Sequence, residues 1–216
     1  MSYIHHYYHN NMIKTIATTR FNDDTYQQNK DYKGKMKHNG SLYGSPVRIK
    51  DNIPLDTAIY VIEMNNSTNK IEGIGMIKNE NILDKHYRIY NNIPSLIVTI
   101  DYNSDDDDCE EDDEEETNMK RLTRIESGNC RDYNSYVYKG SKHISRCEIK
   151  DEYFIKVIEV LENCCFKGAT HCKRSQGITQ LSDWILQNKY NVDFIKIFDK
   201  MFTTKYSKKK NIKLLN

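Results

Sequence analysis

Two apolar, β-branched runs dominate the middle of the chain, Ile59-Tyr60-Val61-Ile62-Glu63-Met64 and Ile71-Glu72-Gly73-Ile74-Gly75-Met76-Ile77. The Asn/Ser-rich stretch from Asn65 to Lys70 separates them, and together they predict a β-hairpin with a medium loop. Gly73 and Gly75 pack nothing themselves, so they mark a bulge, a bend or a close backbone approach. A lone hairpin is marginal in water, so other elements must cover it; we expect it at the heart of a small, strongly curved sheet.

Upstream, Met12 to Ala17 predicts a first strand and Thr18 to Asn22 a turn, with Asn22 or Asp23 capping a helix from Asp24 to Lys33. Gly34 and Gly40 bracket a basic loop holding Lys35, Lys37 and His38. Tyr43-Gly44-Ser45-Pro46 predicts a turn and Val47 to Ile49 a short strand. Downstream, Asp84 to Tyr90 predicts a loop running into a short strand, and Ile93 to Ile100 an edge strand beginning beside Pro94. Tyr133 to Tyr138 predicts a strand, turned at Lys139 to Lys142, with Ile144 to Arg146 extending the sheet. The last third changes period. Phe154, Ile155, Val157, Ile158, Leu161 and Cys165 follow helical spacing and predict an amphipathic helix from Asp151 to Phe166. A shorter helix starts at Ser182-Asp183, and Val192 to Phe202 is helical in period. The fold class is α+β.

Charge divides the chain further. The formal net charge is +1, but twelve of the 31 acidic residues lie between Asp101 and Glu116. Setting those twelve aside leaves 19 acids against 32 lysines and arginines, so the remainder carries about +13. Residues 101–117 cannot bury enough to offset ordering, which predicts a disordered acidic insert. A basic body with an acidic tract suggests a polyanionic partner and a built-in competitor for it; a solvated loop without a partner is the other reading. The organisation expected is a tail at 1–11, a domain over 12–150 with its acidic loop, a helical extension over 151–207 and a basic tail at 208–216. The amino terminus is rich in His and Tyr rather than basic then apolar, so no signal peptide is expected, and no run is long enough for a membrane span. Six cysteines without a leader suggest reduced thiols inside a cell.

The order of these signals resembles the PUA-like superfamily, particularly its YTH and EVE branches. Those folds carry an apolar strand, an Asn/Ser turn and then a strand reading G-x-[AG]-x-M, matched here by Ile59–Met64, Asn65–Lys70 and Gly73-Ile74-Gly75-Met76. The strand, turn and helix from Met12 to Lys33 also sit where that family places them, and the resemblance extends to about Arg146. It implies a curved β-barrel or sheet that binds RNA or a modified nucleobase. The YTH tryptophan cage has no counterpart, since the single tryptophan, Trp184, lies far downstream. Phe21, Tyr26, Tyr43, Tyr87 and Tyr90 are the aromatic candidates near the matching positions. The chain as a whole is also similar to proteins of large, AT-rich DNA viruses of protists, which implies the host cytoplasm or a virion as its setting.

Two places are candidates for ligand binding. Thr18, Thr19, Arg20, Phe21 and Asn22 lie at the mouth of the first helix, where free N–H groups and an arginine fork suit an anion or a base edge; an ordinary capped turn with an exposed arginine is the simpler reading. With Tyr43 and Tyr90 they make the expected pocket, in which Arg20 and Asn22 orient the ligand and Phe21, Tyr43 and Tyr90 stack. The Gly-bounded loop with Lys167, His171, Lys173 and Arg174 suits a nucleic-acid backbone, or is a solvated turn between helices. Cys164, Cys165, His171 and Cys172 lack paired C-x-x-C spacing, so no metal or other cofactor is expected. No catalytic motif is present, and a Cys147/His143 dyad is nominal only. The expected function is a non-enzymatic module for RNA or a modified nucleobase, with the acidic loop limiting non-specific binding. The alternative is a protein-interaction or virion-associated protein that docks a basic partner through residues 101–117.

Overall fold

Strand β3 (Ala58–Asn65) has all eight residues buried, as a near-continuous apolar run requires when both faces of a sheet are covered. The computed structural model describes residues 13–91, 133–187 and 191–213, with side chains described up to 207. β3 pairs in parallel with β1 (Lys14–Phe21) and antiparallel with β4 (Lys70–Lys78). β6 (Lys142–Ser145) and the two-residue β7 (Thr179–Gln180) complete a mixed sheet in the order β6-β4-β3-β1-β7. The parallel β1/β3 pair needs a crossover, which is supplied by α1 (Asp23–Lys35) and β2 (Ser41–Ser45). β2 pairs with β5 (Tyr136–Gly140) as a separate two-stranded ribbon. Among the described residues neither sheet closes on itself.

Side chains alternate along β3, and the two sets enter two cores. Tyr60, Ile62 and Met64 face α2 (Glu152–Phe166) and α4 (Phe194–Lys213), against Phe154, Leu161, Phe198 and Phe202. The Tyr60 ring lies 5.5 Å from Phe198 and 5.3 Å from Phe202. Ile59 and Val61 face the ribbon, against Tyr43, Val137 and Tyr138. Glu63 belongs by parity to this ribbon side. The C-terminal helices therefore share a core with the sheet instead of forming an appendage to it. Asp151 caps α2 by accepting the Tyr153 N–H at 2.9 Å. α3 (Asp183–Leu186) is a single turn that buries Ile185 and leaves Trp184 exposed.

Several expectations change. Thr18 to Phe21 are strand, not turn, because the β3 register holds them through Phe21↔Asn65. Tyr43 to Ser45 are also strand. Gly44 lets the chain pass between the Tyr133 carbonyl and the Tyr90 ring, where a Cβ would come within 2.4 Å and 2.9 Å. Val47 to Ile49 make no ladder; Ser45 Oγ donates to the Val47 carbonyl instead. Asp84 to Tyr90 contains no strand. Helix α1 runs slightly longer than its apolar pattern suggests, with Asn22 as its cap. The expected tail at 1–11, the strand at 93–100 and the acidic insert at 101–117 lie outside the described residues, as do the side chains of 208–216. No described helix is long and apolar enough to cross a membrane.

Candidate functional site

The carboxyl end of β1 and the start of α1 open onto a cavity of about 280 Å³. Thr19, Arg20, Phe21, Asn22, Tyr90 and Lys173 all line it, drawn together from three distant parts of the chain. Strand parity turns Arg20 toward the loop after α2 and Phe21 toward the ribbon, so the cavity wraps the end of the strand. Tyr133 and Asn66, which sequence reasoning did not single out, also line it. Tyr133 is 45% exposed, against 6% for Tyr90, and packs edge-on to Tyr90 at 6.3 Å. It is therefore the ring with a face left to offer. Its only signal in the sequence is the aromatic alternation of 133–138. Among the described residues no aspartate or glutamate lines the cavity.

Arg20 is not a free fork. Its Nε donates to the Cys172 carbonyl at 2.5 Å, Nη1 to the Gly177 carbonyl at 3.1 Å, and Nη2 to Thr18 Oγ1 and Thr179 Oγ1, each at 2.6 Å. Those bonds use four of the five guanidinium N–H groups. Burial pulls its pKa down to about 10, slightly offset by the neighbouring Cys172 and Cys165 thiols. Among the described residues no carboxylate lies within salt-bridge distance of it. Arg20 thus works as a clamp that holds the 172–179 segment against β1 and leaves a positive charge in the cavity wall. Gly177, at φ +63°, makes the turn that presents its carbonyl to Arg20. The β3–β4 turn joins in, as Asn66 Nδ2 donates to the Lys173 carbonyl at 3.3 Å while Asn66 Oδ1 is buried without a hydrogen-bond partner.

The helix mouth is also already occupied. Asn22 Oδ1 accepts the Thr25 N–H at 2.8 Å, and Asp23 and Asp24 fill the first turn of α1. The anion affinity expected of an open helix terminus is satisfied from within the chain, so positive charge here comes from Arg20 and Lys173. We expect Arg20→Lys, which keeps the charge but loses the planar fork, to loosen this wall. Amide exchange across 172–178 should accelerate about tenfold, as losing one charge-assisted bond would cause. Unchanged exchange would mean the clamp is redundant.

Tyr43 is elsewhere. As part of strand β2 it points inward, is fully buried, and donates its hydroxyl to Glu63 Oε1 at 2.7 Å. It has no face to stack on a ligand. His143 Nε2 meets the same carboxylate oxygen at 3.0 Å. Burial pushes the Glu63 pKa up, but the His143 charge and hydrogen bond, Lys33 and the Tyr43 hydroxyl outweigh it, leaving Glu63 below the usual carboxylate range. The two glycines of β4 make room for this network. A Cβ on Gly73 would lie 2.7 Å from Glu63 Oε2, and one on Gly75 would lie 1.9 Å from the Tyr43 hydroxyl. Ser41 Oγ accepts the Met76 N–H at 3.0 Å and so ties the ribbon to β4.

Lys167 lines a neighbouring cavity of about 350 Å³, together with Lys173 and the acidic Glu159 and Glu162. Arg174 is exposed in the 3-10 turn Cys172–Arg174. Of the three backbone-binding candidates, only Lys173 reaches the Arg20 cavity. His171 Nδ1 accepts the Lys173 N–H at 3.2 Å. A hydrogen bond between the buried Cys165 and Cys172 thiols holds the Cys165 pKa up and the Cys172 pKa down. No metal-binding group of three or more His, Cys, Asp or Glu occurs among the described residues. Cys147 Sγ lies against Ser145 Oγ at 3.1 Å, while the His143 ring bonds Glu63. Comparison of the chain with protein-family models, with curated proteins and with solved structures gives no match in any of the three.

Proposed function

We propose that the protein is a binding module for RNA or a modified nucleobase, which enters the Arg20 cavity on a PUA-like scaffold. The observation that carries this reading is the lining itself: Phe21, Tyr90 and Tyr133 rings beside the Arg20 and Lys173 charges, with no carboxylate among the described residues. At about 280 Å³ the cavity lies near the lower end of the range for small-ligand sites, a size suited to one flat base. An aromatic face there stacks a base, and the cations favour its phosphate without discriminating sequence. The PUA-like reading draws its support from the order strand, helix, strand, hairpin and from the Gly73-x-Gly75-Met76 strand beside the central strand of the sheet. Residues 101–117 act in this proposal as an acidic competitor that suppresses non-specific binding.

Titration of fluorescent single-stranded RNA over a salt series tests the reading. Wild-type binding should weaken as salt rises. Tyr133→Ala should cost about 1–3 kcal/mol, roughly tenfold or more in affinity, through lost stacking. Lys173→Ala should flatten the salt slope by about one phosphate contact. Deleting 101–117 should raise non-specific affinity. Absence of binding by every form at low salt would sink the proposal and move the acidic tract to the role of a protein-docking segment.

A further inference from the structure

A different cavity, of about 320 Å³, lies under the carboxyl-terminal half of α1, and Glu63 and His143 form part of its wall. Lys30 and Lys33, three apart on α1, line it together with Lys37 and His38 from the turn that follows the helix. Among the described residues none of the three lysines is ion-paired with a carboxylate. Among the described residues the one carboxylate in the wall is Glu63, and its Oε1 is already taken by the Tyr43 hydroxyl and His143 Nε2. Three lysines thus border one small space in which the described acid, Glu63, has its hydrogen bonds with other partners while its charge still acts on Lys33, and the Lys30 ammonium lies 5.5 Å from the centre of the Tyr26 ring.

We propose that this cavity binds a phosphate group. A phosphomonoester carries nearly two negative charges and three acceptor oxygens, which suits a cavity lined by three lysines and two imidazoles. Both rings are held for the task. His38 Nε2 bonds the Ser41 carbonyl at 3.0 Å, and His143 Nε2 bonds Glu63. Lysines near a helix end often serve only to complement its negative pole. Here the end is already closed, since the Met36, Lys37 and His38 N–H groups bond the Tyr32, Gly34 and Lys33 carbonyls. Lys30 also stands a full turn earlier than such a role requires. Lys37 is the most telling of the three. It occupies the left-handed position after the helix at φ +49°, where glycine is the usual residue, so local backbone preference does not account for a lysine there. The phosphate belongs either to a free nucleotide or to the end of an RNA strand. The site uses none of the Arg20-cavity residues and stands or falls independently of that reading.

The test is NMR titration of the full chain with inorganic phosphate at constant ionic strength, following the His143 imidazole signals. Saturable shifts are expected with phosphate and not with equivalent chloride. Lys33→Met should weaken binding about tenfold, the loss expected for one charge-assisted contact. Lys37→Gly should weaken it similarly without lowering the melting temperature, because glycine relieves the positive φ. Lys196→Met, which removes an exposed charge distant in the fold, should bind as wild type. Competition by uridine monophosphate but not uridine would assign a free nucleotide; competition only by 5′-phosphorylated oligouridylate, not its 5′-hydroxyl form, would assign the RNA end. Identical shifts with chloride, or undiminished affinity in Lys33→Met and Lys37→Gly, would overturn the site.

Discussion

Glu63→Ala is expected to destabilise the protein by about 3–5 kcal/mol, the loss usual when one partner of a buried charged pair is removed. The carboxylate is 2% exposed and holds both the Tyr43 hydroxyl and His143 Nε2. Its removal strands a buried phenol and a partly buried imidazole together and leaves a void between the sheet and the ribbon. Glu63→Gln keeps an acceptor for Tyr43 and loses only the charge, so it should cost less. The two variants separate packing from electrostatics through pH. The folded-state pKa of Glu63 is below the ordinary glutamate value, so its contribution is present in full above that ordinary value and disappears as pH falls through the folded one. The stability gap between wild type and Glu63→Gln, measured by urea unfolding, should therefore be widest near neutrality and close in acid. A gap that stays constant down to strongly acid pH would show that shape, and not charge, is what Glu63 supplies.

The second large effect is expected at Gly75. A Cβ there would come within 1.9 Å of the Tyr43 hydroxyl and 2.4 Å of Ser41 Oγ, and neither can retreat. The Tyr43 ring is fully buried, and Ser41 Oγ is held by the Met76 N–H and the Lys142 carbonyl. Gly75→Ala should cost about 3 kcal/mol or more by overpacking. For a chain of this size that corresponds to a melting temperature lower by roughly 6–12 °C. Tyr43→Phe removes the oxygen that clashes, at the cost of the Glu63 hydrogen bond. In the double variant the two losses should sum to less than their separate values, a coupling that thermal or urea unfolding of the full cycle would reveal. Strict additivity would place the strain at Ser41 or the backbone instead.

The elements read most easily from the sequence were those whose signal is local. The period of α2, the cap at Asn22 and the central hairpin are written in residues a few positions apart, and the structure places them close to where the pattern does, whereas α4 starts near its predicted place but runs past Phe202 to Lys213, into the stretch expected as a basic tail. Strand β2 was missed because Gly44 and Ser45 favour turns locally, whereas the Tyr90 ring and the Tyr133 carbonyl demand a residue without a side chain in an extended chain. The site divides in the same way. Most of the residues picked at the end of β1 do meet Tyr90 and Lys173 around one cavity. Tyr43 fails to join them because a strand, unlike a turn, commits alternate side chains to the core.

By itself the sequence determined an α+β chain with a central antiparallel hairpin, amphipathic C-terminal helices, and a basic body interrupted by an acidic tract. Only the tertiary structure decided which polar groups are consumed and which remain to act. Arg20 spends its donors on partners 152, 157 and 159 residues away as well as on nearby Thr18. Glu63 is committed to Tyr43 and to His143, 80 residues distant, and Lys30, Lys33 and Lys37 have no carboxylate within salt-bridge distance among the described residues. The physical reason is that hydrophobic period and capping act within a turn or two of chain. Hydrogen bonds between remote segments exist only after packing has brought them together, and no spacing in the sequence records them.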